Sequence, residues 1–367
     1  MSGTIGTGEF GLYGGLVGTA IGDSTAIKKQ IDTLTQQAGD GLVADTYAGL
    51  GSGAGTALSL GPQIAGMQAW QNNIAAATGT MGVAQTALTQ ISSIASTFYA
   101  QVVNLNGLNP SEVDSIATNA RGALQQVAGL LDSTDAGGYV FAGQDTGNPP
   151  VPDPNGITGS GFFTQIQAAV AGLGANGAAA PTAATLAIAS SNAAGTSPFS
   201  ATLSQPAAAL AGFRPTVANG PGQQTPIGIV ASANGDAISG GAVTTGSYTR
   251  DILNALATIG SLSSSQVGTA GFATVVSSVY TSLGNAITAL NQDAGAMGDR
   301  QTALQTQATT WANTANALQS QVGNVEDVNM AQTLSQLTQT QTRLTASYQL
   351  ISGLQSLSLA KYLVAQA

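Results

Sequence analysis

The chain lacks the residue types that most often carry chemistry in proteins. Its 367 residues include no cysteine and no histidine, which excludes zinc ligation by thiolate or imidazole, a thiol nucleophile, an imidazole acid or base, and disulfide bonds. Only 7% of the residues are charged, and 17 acidic against 8 basic residues give a net charge of −9. Binding to a nucleic-acid backbone requires clustered Lys and Arg, which are scarce here. The composition therefore argues against an enzyme and against a nucleic-acid partner.

Two local patterns could nevertheless suggest a ligand. Asp132, Asp135, Asp145 and Asp153 are close enough in sequence to be considered as a calcium site, and residues 49–55 are rich in glycine, as phosphate-binding loops are. The aspartates do not follow the spacing of an EF-hand loop, and the glycines lack a following Gly-Lys-Ser or Gly-Lys-Thr. Loop solvation, helix caps and a flexible connector are the favoured interpretations. The sequence therefore predicts no catalytic residue, no metal site and no cofactor.

The strongest pattern is a heptad repeat of apolar residues in the last third of the chain. From Val276 to Val325, apolar residues alternate in steps of four and three over about seven heptads, and Gln301 is the only strongly polar member. A similar alternation runs from Leu60 to Leu88. A helix of about 50 residues is roughly 75 Å long and cannot bury such a seam against itself, so we expect two long helices to pair. The predicted intramolecular coiled-coil seam consists of Leu283, Ile287, Leu290, Met297, Leu304, Trp311, Leu318, Val322, Ile64, Met67, Ile74, Met81 and Leu88.

A second seam follows on another helix near the end of the chain. The other faces of this helix carry Gln, Thr, Ser and Asn rather than Lys and Glu. A free coiled coil would use surface ion pairs, so this composition favours burial among neighbouring copies. Arg343 interrupts the uncharged stretch, and either pairs with Glu326 or Asp327 of a neighbouring subunit or faces solvent. The predicted subunit-assembly helix contains Leu334, Leu337, Leu344, Tyr348, Ile351, Leu354, Leu357, Leu359, Tyr362 and Leu363.

These patterns predict a mainly α fold with an α+β insertion. Residues 1–26 are expected to form a flexible, glycine-rich segment, and residues 27–135 an N-terminal helical coiled-coil region with one helix from Asn109-Pro110 to about Leu131. Residues 136–246, rich in Gly, Ala and Pro, are expected to form a variable surface-exposed domain with short strands at 137–142 and 225–231. A partly disordered loop is the alternative for this region. Residues 247–367 form the C-terminal helical coiled-coil region. Trp70 and Trp311 are predicted to pack between the two long helices.

Particular motifs resemble the bacterial flagellin family. VEDVNMAQTL at 325–334, QTQTRLTASY at 339–348 and SLSLAKYL at 356–363 are similar to the flagellin C-terminal helix. DSTDAGGYVFAGQDTGNPPV at 132–151 is similar to a segment of the hook–filament junction proteins within that family, and residues 40–60 also resemble those proteins more than main filament flagellin. The resemblance covers roughly residues 27–151 and 270–363.

The resemblance implies a structural subunit of the bacterial flagellum that joins hook to filament and assembles through coiled-coil ends. The implied partners are identical subunits, neighbouring hook-associated protein and flagellin subunits, an export chaperone and the flagellar type III export apparatus. The implied location is extracellular. The first basic residue is Lys28 and no stretch of about 18 uninterrupted apolar residues occurs, so we expect neither a cleaved signal peptide nor membrane insertion.

Two other functions stay open at this stage. A main filament flagellin, or a flagellin-like subunit, would share the C-terminal motifs, and only the stretches at 40–60 and 139–151 argue against it. An unrelated secreted coiled-coil adhesin or translocator would also carry long heptad helices.

Overall fold

The computed structural model describes residues 8–107, 109–173 and 179–364, with side chains described for 18–107, 109–173 and 179–353. The described helices are α1 (Gly8–Asp40), α2 (Ala54–Val102), α3 (Pro110–Leu131), α4 (Gly161–Ala171), α5 (Ala179–Ser190), α6 (Ala207–Leu210), α7 (Tyr248–Gly260), α8 (Phe272–Glu326) and α9 (Met330–Val364). None of the helices in these residues is long and apolar enough to cross a membrane. The long helices near both ends and the smaller elements between them confirm the predicted mainly α fold.

The chain forms two compact units. Unit 1 contains Met1–Gly66 and Asn313–Ala367, and unit 2 contains Met67–Ala312. Helices α2 and α8 each contribute residues to both units, whereas α1 and α9 belong to unit 1 and the helices from α3 to α7 belong to unit 2. These two units do not coincide with the four regions predicted from the sequence. The four regions remain a proposal about how the chain is organised for assembly.

Within unit 2, α2 and α8 pair along their seams in opposite directions. Near one end Tyr99 stacks on Tyr280 with ring centroids 4.2 Å apart. Further along, the Gln85 side chain donates to the carbonyl oxygen of Ala294 at 3.4 Å, and the Gln301 side chain donates to that of Thr78 at 3.3 Å. The partner numbers on α8 rise as those on α2 fall, so the pair is antiparallel. The polar glutamines of the seam thus bond to the backbone of the opposite helix.

Helix α3 begins and ends where its sequence predicts. Glu112 accepts a hydrogen bond from the Asn109 backbone N–H at 3.0 Å, and Pro110 occupies the first helical turn, where its missing N–H costs no helical bond. The helix ends at Leu131. Its buried face carries Val113, Leu124 and Val127 into the core of unit 2.

The insertion is a folded part of unit 2, with shorter strands than expected. Two antiparallel hairpins lie in the described residues: β1 (Thr134–Asp135) with β2 (Gly138–Tyr139), and β3 (Thr216–Gly220) with β4 (Gln223–Pro226). The predicted strands at 137–142 and 225–231 meet only through an isolated bridge, in which Ala231 N–H donates to the Phe141 carbonyl oxygen at 3.0 Å. Packing of α4, α5 and α7 buries apolar surface that longer strands would have buried. Large side chains at the centre of this core are Phe141, Phe162, Ile166 and Tyr248.

The N-terminal segment differs from the flexible chain expected for residues 1–26. Helix α1 begins at Gly8, so residues 8–26 are helical where the sequence predicted irregular backbone. Residues 1–7 lie outside the described part. Glycine disfavours a helix by up to about 1 kcal/mol per residue. That cost is offset by packing of α1 against α9, which leaves Ser24 only 6% exposed.

Candidate assembly surface

Unit 1 is built around an antiparallel pair of helices, α1 and α9. The carbonyl oxygen of Gly41, just after α1, accepts from Val328 N–H at 2.9 Å, and Val43 N–H donates to the Glu326 carbonyl oxygen at 2.7 Å. These two bonds place the end of α1 beside the start of α9. The helices then run back along each other from this point.

The inner seam of the pair combines Leu and Ile with Ala, Ser and Thr. On α1 the least exposed residues recur in steps of three and four, and on α9 they do the same. The α1 set is Ala20, Ser24, Ile27, Ile31 and Leu34, and the α9 set is Thr333, Leu337, Thr340, Leu344, Ser347 and Ile351. Only Ser24, Leu34, Thr333 and Thr340 are fully buried. The Thr340 hydroxyl donates a hydrogen bond within its own helix, to the Gln336 carbonyl oxygen at 2.7 Å. Of the Leu and Ile residues in the seam, all but Leu34 are only half-buried, so part of their apolar surface stays exposed.

Other large apolar side chains of α9 lie on the adjacent flank, outside this seam. Met330, Leu334 and Tyr348 are 41%, 48% and 54% exposed. They are separated from Thr333, Thr340 and Ser347 by the half-buried Leu337, Leu344 and Ile351. We call the exposed set Met330, Leu334 and Tyr348 the outer flank. Exposed apolar residues aligned along one helix flank are typical of a surface that packs against another protein.

The outer flank carries almost no charge. Arg343 is exposed, and the ion pairs between described residues join Arg214 and Arg300 to Asp236 in unit 2. Neither of these pairs involves Arg343, so its predicted pairing with a neighbouring subunit stays open. An apolar, uncharged flank would associate through loss of water from its surface rather than through ion pairs.

The predicted assembly residues occupy three environments. Leu334 and Tyr348 lie on the outer flank, whereas Leu337, Leu344 and Ile351 are half-buried at its border with the α1 seam. The remaining five fall in the helical backbone of α9, but their side chains lie outside the described residues: Leu354, Leu357, Leu359, Tyr362 and Leu363. Their part in assembly remains a prediction.

The predicted coiled-coil residues are divided between the two units. In unit 2, most are buried along the α2–α8 pair: Met67, Ile74, Met81, Leu88, Leu283, Leu290, Met297 and Leu304. Ile287 and Trp311 are half-buried there. In unit 1, Ile64 is buried, and Leu318 and Val322 are half-buried. Trp70 and Trp311 are neighbours, with ring centroids 5.0 Å apart.

Sequence reasoning missed a buried carboxylate that ties α8 to the insertion. Asp293 is 2% exposed and accepts hydrogen bonds from the backbone N–H groups of Gly235, Asp236 and Ala237 at 2.7, 2.6 and 2.7 Å. Three donors compensate for the loss of water around the carboxylate. The sequence signal for this contact is an acidic residue on an otherwise uncharged stretch of helix. The partners of Asp293, however, lie more than 50 residues away and follow no sequence period.

The four aspartates considered as a calcium site have separate partners. Asp132 accepts from Val151 N–H at 2.9 Å, and Asp135 accepts from the Thr80 hydroxyl at 2.6 Å. Two further local bonds of this kind are Asn148 Nδ2–H to Asp145 at 2.7 Å and Gly156 N–H to Asp153 at 2.8 Å. Half-burial raises the pKa of Asp132 to about 6. Asp145 and Asp153 thus bond within their own turns, whereas Asp132 bonds across the segment to Val151 and Asp135 bonds to Thr80 on α2.

Comparison with known protein families gives matches at both helical ends. The bacterial flagellin N-terminal helical region matches residues 22–146, and the bacterial flagellin C-terminal helical region matches residues 280–363. Together these ranges cover more than half of the chain. No curated protein gives a significant match over the sequence. The two matched regions contain most of α1, α2, α3, α8 and α9, and four of these helices, α1, α2, α8 and α9, form the coiled-coil pairs. The chain therefore belongs to the bacterial flagellin family, a family of structural subunits that assemble into the extracellular flagellum.

Proposed function

We propose that this flagellin-family subunit is a hook-associated adaptor that joins the flagellar hook to the filament. The observation that carries the proposal is the segment 132–151, whose sequence resembles the junction proteins of the family. This segment follows α3 directly and leads into the insertion.

The fold supports the proposal by giving this segment a defined conformation. Its ends are joined by the bond from Val151 N–H to Asp132. Within it, Val140 N–H donates to the Ser133 carbonyl oxygen at 3.0 Å, and Tyr139 N–H donates to the Thr146 carbonyl oxygen at 2.9 Å. Phe141 is completely buried. The resemblance therefore falls on an ordered, anchored turn, where residue identity has structural consequences, rather than on a solvated loop.

Assembly proceeds through the ends of the chain in this proposal. The outer flank of α9 is apolar and exposed in the single subunit, and burial of apolar surface contributes roughly 25 cal/mol per Å². Identical subunits, and the hook-associated and flagellin subunits on either side, are the partners that would cover it. Residues 136–246 form the surface-exposed domain of the subunit in this proposal.

Export precedes assembly in this proposal. The absence of cysteine suits a chain that passes unfolded through the flagellar type III export channel, because no cross-link can form on the way. The seam between α1 and α9 is only partly buried, which suits a chain whose ends open and are held by an export chaperone before secretion.

Deletion of the gene, followed by electron microscopy of the cells and assay of flagellin in the medium, tests the adaptor role. We expect bare hooks and filament protein shed into the medium, because filament subunits would have no surface on which to start. Complementation with the wild-type gene is the control and should restore filaments.

A main filament flagellin is the second candidate, since both matched regions belong to the family as a whole. In that case the deletion would give missing or shortened filaments without shed flagellin. That outcome would contradict the adaptor role while leaving the family assignment intact.

A further inference from the structure

The β3–β4 hairpin packs against both long helices at the end of unit 2 where those helices continue into unit 1. On α8, Trp311 Nε1–H donates to the Asn219 carbonyl oxygen at 2.8 Å. On α2, the Asn73 side chain donates to the Ala218 carbonyl oxygen at 3.2 Å. A single short hairpin from the insertion therefore bonds to α2 and α8 at the same level of the pair.

Further side-chain contacts hold the hairpin to α8. Asn219 Nδ2–H donates to Gln307 Oε1 at 2.6 Å, and Gln307 Nε2–H donates to Gln223 Oε1 at 3.1 Å. Gly220 lies against the indole, since a Cβ atom added there would be 3.4 Å from Trp311 Cζ2 and 3.0 Å from Gln223 Oε1. Gln307 thus connects the two strands of the hairpin to the helix.

At this end of unit 2 the helix seam contains two half-buried indoles. Ile74 and Leu304 are each 1% exposed, and beyond them Trp70 and Trp311 are half-buried while Met67 is buried. The contacts of the hairpin therefore fall at the level of the two tryptophans. Removing them should affect this level of the pair more than the levels near Met81 and Leu290.

The hairpin itself is weakly stabilised. An isolated two-stranded hairpin is marginally stable in water, and the pairing of β3 with β4 is interrupted by a bulge between Ala218 and Gly220. Most of β4 is exposed. The other strand, β3, is more buried, with Val217 and Asn219 only 7% and 5% exposed. The hairpin therefore depends on its contacts with the helices more than on its own strand pairing.

We propose that the β3–β4 hairpin is a releasable clasp that fixes α2 against α8 at this end of unit 2. When the hairpin is docked, the indoles of Trp70 and Trp311 are held together and the two helices keep one register. When it lifts, the helices at this level separate or shift while the core around Met81 and Leu290 stays packed. The clasp gives the insertion a role in controlling the helix pair, independent of whether the subunit is an adaptor or a filament protein.

Asn219→Ala in the full chain tests the clasp, because it removes the bond to Gln307 and leaves the backbone acceptor for Trp311. Gln224→Ala is the matched control, since Gln224 is exposed on the same hairpin and its Oε1 accepts from the Thr216 hydroxyl on β3 at 3.3 Å rather than from either helix. Hydrogen exchange should accelerate roughly fivefold at the amides of residues 216–226 in Asn219→Ala, and stay unchanged in α3 and α7. The chain has only two tryptophans, so a shift of tryptophan emission to longer wavelength would report opening at this site.

Spin labels measure whether the helices themselves respond. The chain has no cysteine, so Asn72→Cys and Thr309→Cys, both at exposed positions, give two labels, one on α2 and one on α8. We expect the distance distribution to broaden or shift in Asn219→Ala and not in Gln224→Ala. Gly220→Val, which crowds the indole of Trp311, is the second variant and should give the larger change. Unchanged label distances in both Asn219→Ala and Gly220→Val would overturn the proposal.

Discussion

Both units contain an antiparallel pair of long helices, but they differ in which side chains are buried. In unit 2, the α2–α8 pair and the insertion bury large apolar side chains such as Met81, Phe141 and Leu290. In unit 1, the α1–α9 pair buries Thr333 and Thr340, while Leu334 and Tyr348 remain exposed next to them. Unit 2 therefore covers most of its large apolar side chains within one chain, with Val103 and Ile238 left exposed, whereas unit 1 leaves the outer flank exposed.

This difference indicates where the family function is performed. A helix pair with a weak inner seam and an apolar outer flank gains more from neighbouring subunits than from its own partner. A well-packed unit gains little from neighbours and can keep its shape through assembly. We infer that unit 1 carries the assembly energy and unit 2 carries the rigid part of the subunit.

The largest expected effect comes from placing a charge on the outer flank. Leu334→Glu should raise the subunit concentration needed for assembly by at least about 100-fold, since it removes roughly half of the 1.5–3 kcal/mol that full burial of a Leu supplies and requires a carboxylate to lose its water. Sedimentation and electron microscopy of purified subunits measure this. Gln339→Glu, an equal added charge at another exposed position of α9, is the control and should assemble normally. Equal assembly of the two variants would show that the outer flank is not an interface.

A smaller effect is expected from a cavity in unit 2. Met81→Ala removes a side chain with no exposed surface and should lower the free energy of unfolding of the monomer by about 2–5 kcal/mol. Leu344→Ala in unit 1, at a half-buried position, should lower it by less than about 1 kcal/mol. Chemical denaturation followed by tryptophan fluorescence measures the first, because both tryptophans lie in unit 2. Far-UV circular dichroism is needed for the second. If Leu344→Ala proved as costly as Met81→Ala, the contrast between the units would be wrong.

The stability of unit 2 should also depend on pH through buried carboxyl groups. Burial raises the pKa of Asp251 to about 6 although its carboxylate accepts from Thr245 N–H, and half-burial raises the pKa of Asp132 to a similar value. Folded pKa values above the ordinary 3.8 mean that the folded chain binds more protons between about pH 4 and 6. The free energy of unfolding should therefore rise as the pH falls from 7 through 6, and level off near pH 4.

Asp251→Asn provides the control for this pH dependence, because the amide oxygen can still accept from Thr245 without carrying a charge. The variant should be more stable than the wild type at pH 7 and less dependent on pH between 7 and 5. Asp114 acts in a different range, since its bond from Ser264 N–H lowers its pKa below 3.8 and its contribution is lost only at more acidic pH. An unchanged slope in Asp251→Asn would exclude this carboxyl group as the cause.

The sequence predicted the features that depend on local chemistry and on regular period. Asn109, Pro110 and Glu112 place the start of α3 because capping acts over one helical turn. Heptads placed the α2–α8 seam because apolar residues at a 3.5-residue spacing fall on one helix flank. The prediction of a single apolar seam on α9 was incomplete. Thr333 and Thr340 face α1, whereas Leu334 is exposed. Apolar spacing alone does not show which of two adjacent flanks meets the partner.

Contacts that depend on distant polar residues could not be predicted from the sequence. Asp293 meets the backbone of residues 235–237, and Trp311 meets Asn219, across separations that follow no repeat. The length of the strands was overestimated at 137–142 because short apolar runs between glycines fit strands and irregular buried segments equally well. The role of the outer flank in assembly remains a prediction, and its test requires a second copy of the chain.

The smallest expected effects distinguish two causes for a low stability of the α1–α9 pair in unit 1. Thr340→Val replaces a buried hydroxyl with a methyl group in the inner seam, and should stabilise the α1–α9 pair by less than about 1 kcal/mol. Gly22→Ala tests the other cause, since an added Cβ there meets no atom within 4 Å and should raise helix stability by up to about 1 kcal/mol. Helix content of the monomer from far-UV circular dichroism during mild heating measures both. If only Gly22→Ala raises the helix content, the glycines of α1 set the weakness of unit 1. A gain in Thr340→Val would assign it to the polar seam, and would also predict slower exchange of α1 amides in the unassembled subunit.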